Sequence, residues 1–294
     1  MPLSPPDPAT TAPASVLPPQ ERDAVLWLLL GALGFSLMAV GVKQLAGHLP
    51  LAQVVFARSL VCVLITGWML RRAGVDPWGQ RRGLLLWRGL IGCAALLCVF
   101  AGLQRLPLAT ATVLQFLYPS LTALLAWPWL GERPRPLVLA SLLLGWLGVV
   151  LVCRPALGGQ LAPLGVGLAL AGALLTAVAY VSVRELGRSE HPLVIVFVFP
   201  LVGVPLTLPL VLAQPVLPTP VEGFWLLAVG LCTQLGQLGI TRGLTGLSAA
   251  RATGISYVQV AFAGLWGWLL FAEVPSGSTL AGGALILLAA LLSA

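Results

Sequence analysis

Residues 106–112 read Leu-Pro-Leu-Ala-Thr-Ala-Thr, and residues 247–253, 141 positions further on, read Leu-Ser-Ala-Ala-Arg-Ala-Thr. The same offset lays Trp127 on Trp268, Glu132 on Glu273 and Pro134 on Pro275. Toward the N-terminus it sets Lys43 opposite Arg184, and Val55-Phe56 opposite Val196-Phe197, without a gap. One offset held from Lys43 to Pro134 marks an internal repeat.

Each copy is a series of apolar runs. A membrane-crossing helix needs about 20 mostly apolar residues, because the hydrocarbon core is about 30 Å thick and each residue rises about 1.5 Å. Such runs fall at 24–46, 51–70, 83–104, 107–130, 136–153, 164–185, 192–213, 221–243, 248–272 and 277–294. The gaps are short and punctuated by Pro and Gly, as in Gly47-His48-Leu49-Pro50. That makes five runs per copy. An odd number sends the second copy into the membrane from the opposite side. The expected fold is therefore an all-α polytopic membrane protein, with ten transmembrane helices arranged as two inverted five-helix repeats. The first repeat covers 23–154 and the second 164–294. Residues 1–22 hold seven prolines and lack the basic, apolar and cleavage-site order of a signal peptide, so they read as a disordered tail.

Composition points the same way. Of 294 residues, 59% are hydrophobic and 9% charged, against roughly a quarter charged in soluble domains. So few charges cannot cover a water-facing surface, and lipid must be the solvent for much of the chain. The net charge of +7 does not suggest nucleic acid, because the basic residues stand singly or in pairs between the runs. With the N-terminus inside, Arg22, Arg71, Arg72, Arg81, Arg82, Arg133, Arg135, Arg184, Arg188, Arg242 and Arg251 fall on the cytoplasmic side. Only Lys43, Arg105 and Arg154 fall outside. The positive-inside rule then predicts an integral protein of the cytoplasmic (inner) membrane with both termini cytoplasmic.

Catalytic classes find no support. The five cysteines lie in or beside apolar runs without metal-ligand spacing, and His48 and His191 sit in loops next to prolines. No clustered acids or nucleophile–base pairs occur at depth, so no enzyme, metal or cofactor is expected. Inverted repeats are instead the architecture of many secondary transporters, with the substrate held between the halves. The alternative is a non-transporting membrane receptor or scaffold protein, although the loops are too short to build a docking surface.

A set of short motifs adds a resemblance. Arg88-Gly89-Leu90-Ile91-Gly92, Leu106-Pro107-Leu108-Ala109-Thr110-Ala111, Tyr118-Pro119 and Gly131-Glu132-Arg133 resemble the first repeat of EamA-type transporters of the drug/metabolite transporter (DMT) superfamily. Gly236-Gln237, Tyr257 and the stretch from Trp268 to Pro275 resemble the second. The likeness covers residues 24–294. It implies ten helices around a central cavity lined mainly by helices 1, 3, 4, 6, 8 and 9. It implies a small-molecule substrate (an amino acid, vitamin or other metabolite) without naming one. Position 260, which pairs with Pro119, is valine, so the resemblance implies a proline break in the fourth helix of the first repeat alone.

Candidate transport residues follow from helical spacing. The fourth run puts Thr112, Gln115, Pro119 and Thr122 on one face, where Pro119 leaves a carbonyl near residue 115 unpaired. The eighth does the same for Gln234, Gln237 and Thr241. Substrate contact is expected from Arg88, Gln115, Tyr118, Thr176, Tyr180, Gln234, Gln237 and Tyr257, and gating from Lys43 and Pro119. Arg88 would meet an anionic group. Arg58 lies near a helix end and reads as snorkelling to the interface. No Asp or Glu occupies the middle third of any run, which removes the usual carboxylate proton relay. A lipid-facing apolar surface reads like a dimer face, so a homodimer stays open.

Overall fold

A computed structural model describes residues 19–131, 136–153, 162–247, 252, 255–256 and 258–293. Every regular element among them is an α-helix. The first, α1 (Pro19–Gln44), begins inside the stretch expected as a tail. Proline is tolerated at a helix start, and Glu21 in the first turn suits the positive end of the helix dipole. The rest of the expected tail lies outside the described residues.

Helix α2 (Leu51–Ala73) stops at Gly74, whose left-handed φ of 63° lets its N–H reach back to the last carbonyls. Helix α3 (Arg82–Arg105) follows. The fourth run is two helices in line, α4 (Leu108–Gln115) and α5 (Tyr118–Leu130). Pro119 is the cause, since the residue four beyond Gln115 has no N–H to give. The chain tightens there, with Phe116 N–H also bonding Val113 O at 3.1 Å and Leu117 N–H bonding Leu114 O at 3.3 Å. The expected break is thus a full two-residue interruption. The ninth run is helical from Val258 as α10 (Val258–Phe271), and most of 248–257 lies outside the described residues.

Between and after these come α6 (Pro136–Cys153), α7 (Pro163–Leu186), α8 (Pro192–Ala213), α9 (Pro220–Gly246) and α11 (Gly277–Ser293). Helices α7, α8 and α9 carry proline in the first turn, and Thr219 with Glu222 forms a reciprocal capping box ahead of α9. Among the described residues, seven stretches are long and apolar enough to cross a membrane: six of these helices, and α4 with α5 together. Val258–Phe271 and Gly277–Ala289 are shorter and equally apolar in character. This is an all-helical polytopic membrane protein.

Lipid offers no hydrophobic drive for helices to meet, so close packing of small residues must hold them. Helices α1 and α9 touch through Gly31, Gly34, Gly236 and Gly239. A Cβ on Gly34 would lie 2.7 Å from Cys232 O and 2.9 Å from Gly236 N. Gly203 similarly admits Ser59 of α2 against α8, and Gly172 admits Val99 of α3 against α7. Leu64, Leu143 and Leu174, with Trp68, Trp146 and Trp268, stay exposed on the outside, where lipid would cover them.

Contacts define two ends of the bundle. At one, Lys43 donates to Leu106 O (2.9 Å), and Gln53 to Val216 O (2.7 Å). At the other, the turn before α3 meets the end of α7: Arg81 pairs with Glu185 at 2.7 Å and Gln80 N–H donates to Glu190 at 2.8 Å.

Candidate functional site

Between these ends lies a cavity of about 750 Å³, the open space at its mouth included. Phe35 and Met38 enter it from α1, Arg88 and Gly92 from α3, and Thr112 and Gln115 from α4. Tyr118 opens α5 into it, Thr176 and Tyr180 come from α7, Gln237 from α9 and Gln259 from α10. Arg58 of α2 and Phe199 of α8 complete one wall. The unwound Phe116–Leu117 step places the neighbouring side chains. It rotates Tyr118 inward beside Tyr180, with the two rings edge-on and their centroids 5.2 Å apart.

The charged groups are the most unusual part. Arg58 is 1% exposed and Arg88 3%, so neither snorkels. Sequence reasoning sent Arg58 to the interface because of its distance from the helix end. The helix phase turns it inward instead, on the same stripe as Cys62 and Thr66 at intervals of four residues, a polar spacing visible in the sequence. Both guanidinium carbons stack on Phe199, at 4.8 Å for Arg58 and 4.5 Å for Arg88. Arg58 Nε reaches Thr233 Oγ1 at 3.3 Å. Nη1 of Arg58, and Nε and Nη1 of Arg88, find no hydrogen-bond partner among the described residues. Among the described residues the lining contains no Asp or Glu.

The structure gathers six of the sequence candidates on this cavity: Arg88, Gln115, Tyr118, Thr176, Tyr180 and Gln237. Gln237 Oε1 is buried without a partner there. Gln234 goes elsewhere, its Nε2 donating to Thr66 Oγ1 at 2.8 Å and tying α9 to α2. Pro119 is buried at the start of α5, behind Tyr118. Lys43 sits at one end of the bundle, 2.6 Å from Glu273. Tyr257 lies outside the described residues. Arg58, Phe199, Phe35 and Gln259 line the cavity unanticipated. Arg58 and Gln259 carried a sequence signal, each a polar residue inside an apolar run, whereas a lone Phe in such a run looks like any other.

Residues 23–154 and 163–294 each match the model of the EamA-like transporter family. The chain belongs to that family. A relative from Pseudomonas aeruginosa named pseudopaline exporter CntI is 34% identical, covering 91% of this chain and 94% of its own. Solute carrier family 35 member G1 of Mus musculus is 26% identical over 88% of this chain and 74% of its own. A solved crystal structure aligns at TM-score 0.71 over 92% of this chain and 96% of its own, with 23% identity, a likeness of fold alone. This EamA-family protein is an integral membrane transporter. Its polar cavity fits such a role, because unpaired polar groups at membrane depth are costly and line pathways rather than lipid faces.

Proposed function

We propose that this transporter moves a small metabolite across the cytoplasmic membrane by alternating access through the cavity between its two halves. One observation carries the reading: Arg88, Gln115 and Tyr118 of the first half and Thr176, Tyr180 and Gln237 of the second converge on a single cavity. Lys43 and Pro119 are assigned to gating, at the mouth and at the break behind Tyr118. Two similar halves facing opposite ways supply two states of similar energy, open to either side.

The direction of the helices supports an inverted repeat. Lys43, near the end of α1, joins Leu106 at one end of the bundle, while Glu185, near the end of α7, joins Arg81 at the other. The two corresponding helices therefore run in opposite senses. Counting α4 and α5 as one crossing gives ten. Arg71, Arg72, Arg184, Arg188 and Arg242 gather at the Arg81 end, which the positive-inside rule assigns to the cytoplasm with both termini. Outward movement is assigned from the relative named as an exporter.

The test is metabolite profiling of cells and medium, comparing the intact chain with Arg88→Ala/Gln237→Ala at matched membrane levels. A compound that leaves the cells only with the intact chain is expected. Identical profiles for intact chain, variant and empty vector would remove the reading.

A further inference from the structure

We infer that the substrate is an organic dianion, gripped at its two acidic groups by Arg58 and Arg88, which both stack on the Phe199 ring. The inference names the substrate class of the cavity and rests on the transport reading for its flux measurement alone.

The argument starts from charge. Two guanidinium ions, 1% and 3% exposed, occupy one cavity. Each lies within 5 Å of the same ring centroid. Adding the two distances puts their carbons within about 9 Å of one another, close enough to repel inside a low-dielectric bundle. Among the described residues no carboxylate balances them. Every described Asp and Glu lies at or near a helix end or in a turn, and none lines the cavity. A protein arginine at such depth is always charged and normally paired. Here the missing partner must arrive with the ligand.

The geometry of the stack says which atoms wait for it. Cation–π contact uses the flat face of a guanidinium and leaves its N–H edges free. Those edges are where partners are missing: Nη1 of Arg58, and Nε and Nη1 of Arg88. A guanidinium can direct two of its N–H donors at one carboxylate, and Arg88 keeps both Nε and Nη1 unpaired among the described residues. Gly92 keeps the Arg88 edge in place, since a Cβ there would collide with Arg88 Nη1 and lie 2.8 Å from the Phe199 ring. Two guanidinium ions on one cavity, Arg88 with Nε and Nη1 unpaired and Arg58 with Nη1 unpaired beside its bond to Thr233, fit two acidic groups better than one. The remaining wall, with Tyr118, Tyr180 and Val99, suits an apolar body between them.

Two measurements test this. Purified full-length protein is titrated with adipate, monomethyl adipate and adipamide, and thermal stabilisation is read. Adipate should act at roughly tenfold lower concentration than the monoester, with adipamide inactive. Arg58→Gln should abolish the difference between diacid and monoester, and Arg58→Lys, which keeps charge and fold, should restore it in part. Equal responses to adipate and adipamide would overturn the inference, whatever the protein transports. Proteoliposomes holding the intact chain are then loaded with a metabolite extract, and exported compounds are sorted by charge at neutral pH. Enrichment of species with two or more acidic groups supports the assignment. Export of neutral or cationic species in preference overturns it while leaving transport standing. Absence of any export, beside adipate-selective stabilisation, would keep the dianion site and remove the transport reading.

Discussion

Lys43 Nζ lies 2.6 Å from Glu273 Oε1, joining the end of α1 to the turn between α10 and α11 and so binding the first half to the second. Lys43 also donates to Leu106 O, and Glu273 Oε2 accepts the Leu108 N–H at 2.7 Å. Three segments are pinned at one mouth of the bundle. Both side chains are largely buried, at 16% and 22% exposure, so the pair outweighs an open surface bridge.

Breaking it should open that mouth. With Thr112→Cys as a reporter inside the cavity, Lys43→Met is expected to speed labelling by a membrane-impermeant maleimide from that side by roughly tenfold, the equivalent of about 1.4 kcal/mol. The charge-swapped Lys43→Glu/Glu273→Lys protein should return labelling toward its original rate. Unchanged labelling in Lys43→Met would reduce the pair to a packing contact.

The two glutamines of α9 should separate in their effects. Gln237→Ala removes a cavity group and should weaken substrate affinity several-fold with little change in melting temperature. Gln234→Ala breaks the bond to Thr66 and should cost about 0.6 kcal/mol of stability, the average for interhelical hydrogen bonds, while flux per folded molecule holds. Substrate titration and thermal unfolding on both proteins would show a reversed pattern if the helix phase were wrong.

Gly34→Val should be far more damaging than its small volume suggests. The two nearest atoms its Cβ would meet are backbone of α9, which cannot rotate away. Overpacking of this kind costs about 1–3 kcal/mol. A drop in detergent-stable, monodisperse yield by size-exclusion chromatography checks it, with Gly264→Ala, where an added Cβ meets only open space, as a comparison for handling losses.

Thr219→Ala should lower stability by about 1 kcal/mol without touching transport, because the capping box stands at the start of α9, away from the cavity. A change in substrate affinity in that variant would mean that the mouth near Glu222 contributes to binding.

Much of the architecture was legible from order alone. The offset that pairs Leu106–Thr112 with Leu247–Thr253 does not depend on how the helices pack, and neither does the length of an apolar run. Pro119 announced the break in the fourth run because a missing N–H acts within its own turn. Six cavity residues could be named in advance since polar groups spaced three and four apart share a helix face. That rule could not tell Gln237 from Gln234. Adjacent polar positions on one helix differ by a rotation, and whether each meets the cavity or Thr66 of α2 depends on the neighbour.

The same limit hid Arg58. Distance along a helix gives depth, whereas direction toward lipid or interior is set by which helix packs alongside. Sequence by itself determined the membrane class, the repeat and the candidate polar faces, because hydropathy and spacing are local along the chain. Only the tertiary structure decided that two arginines from different helices stack on one phenylalanine of a third, with no acid beside them among the described residues. That arrangement joins residues 58, 88 and 199, and no local rule relates positions so far apart.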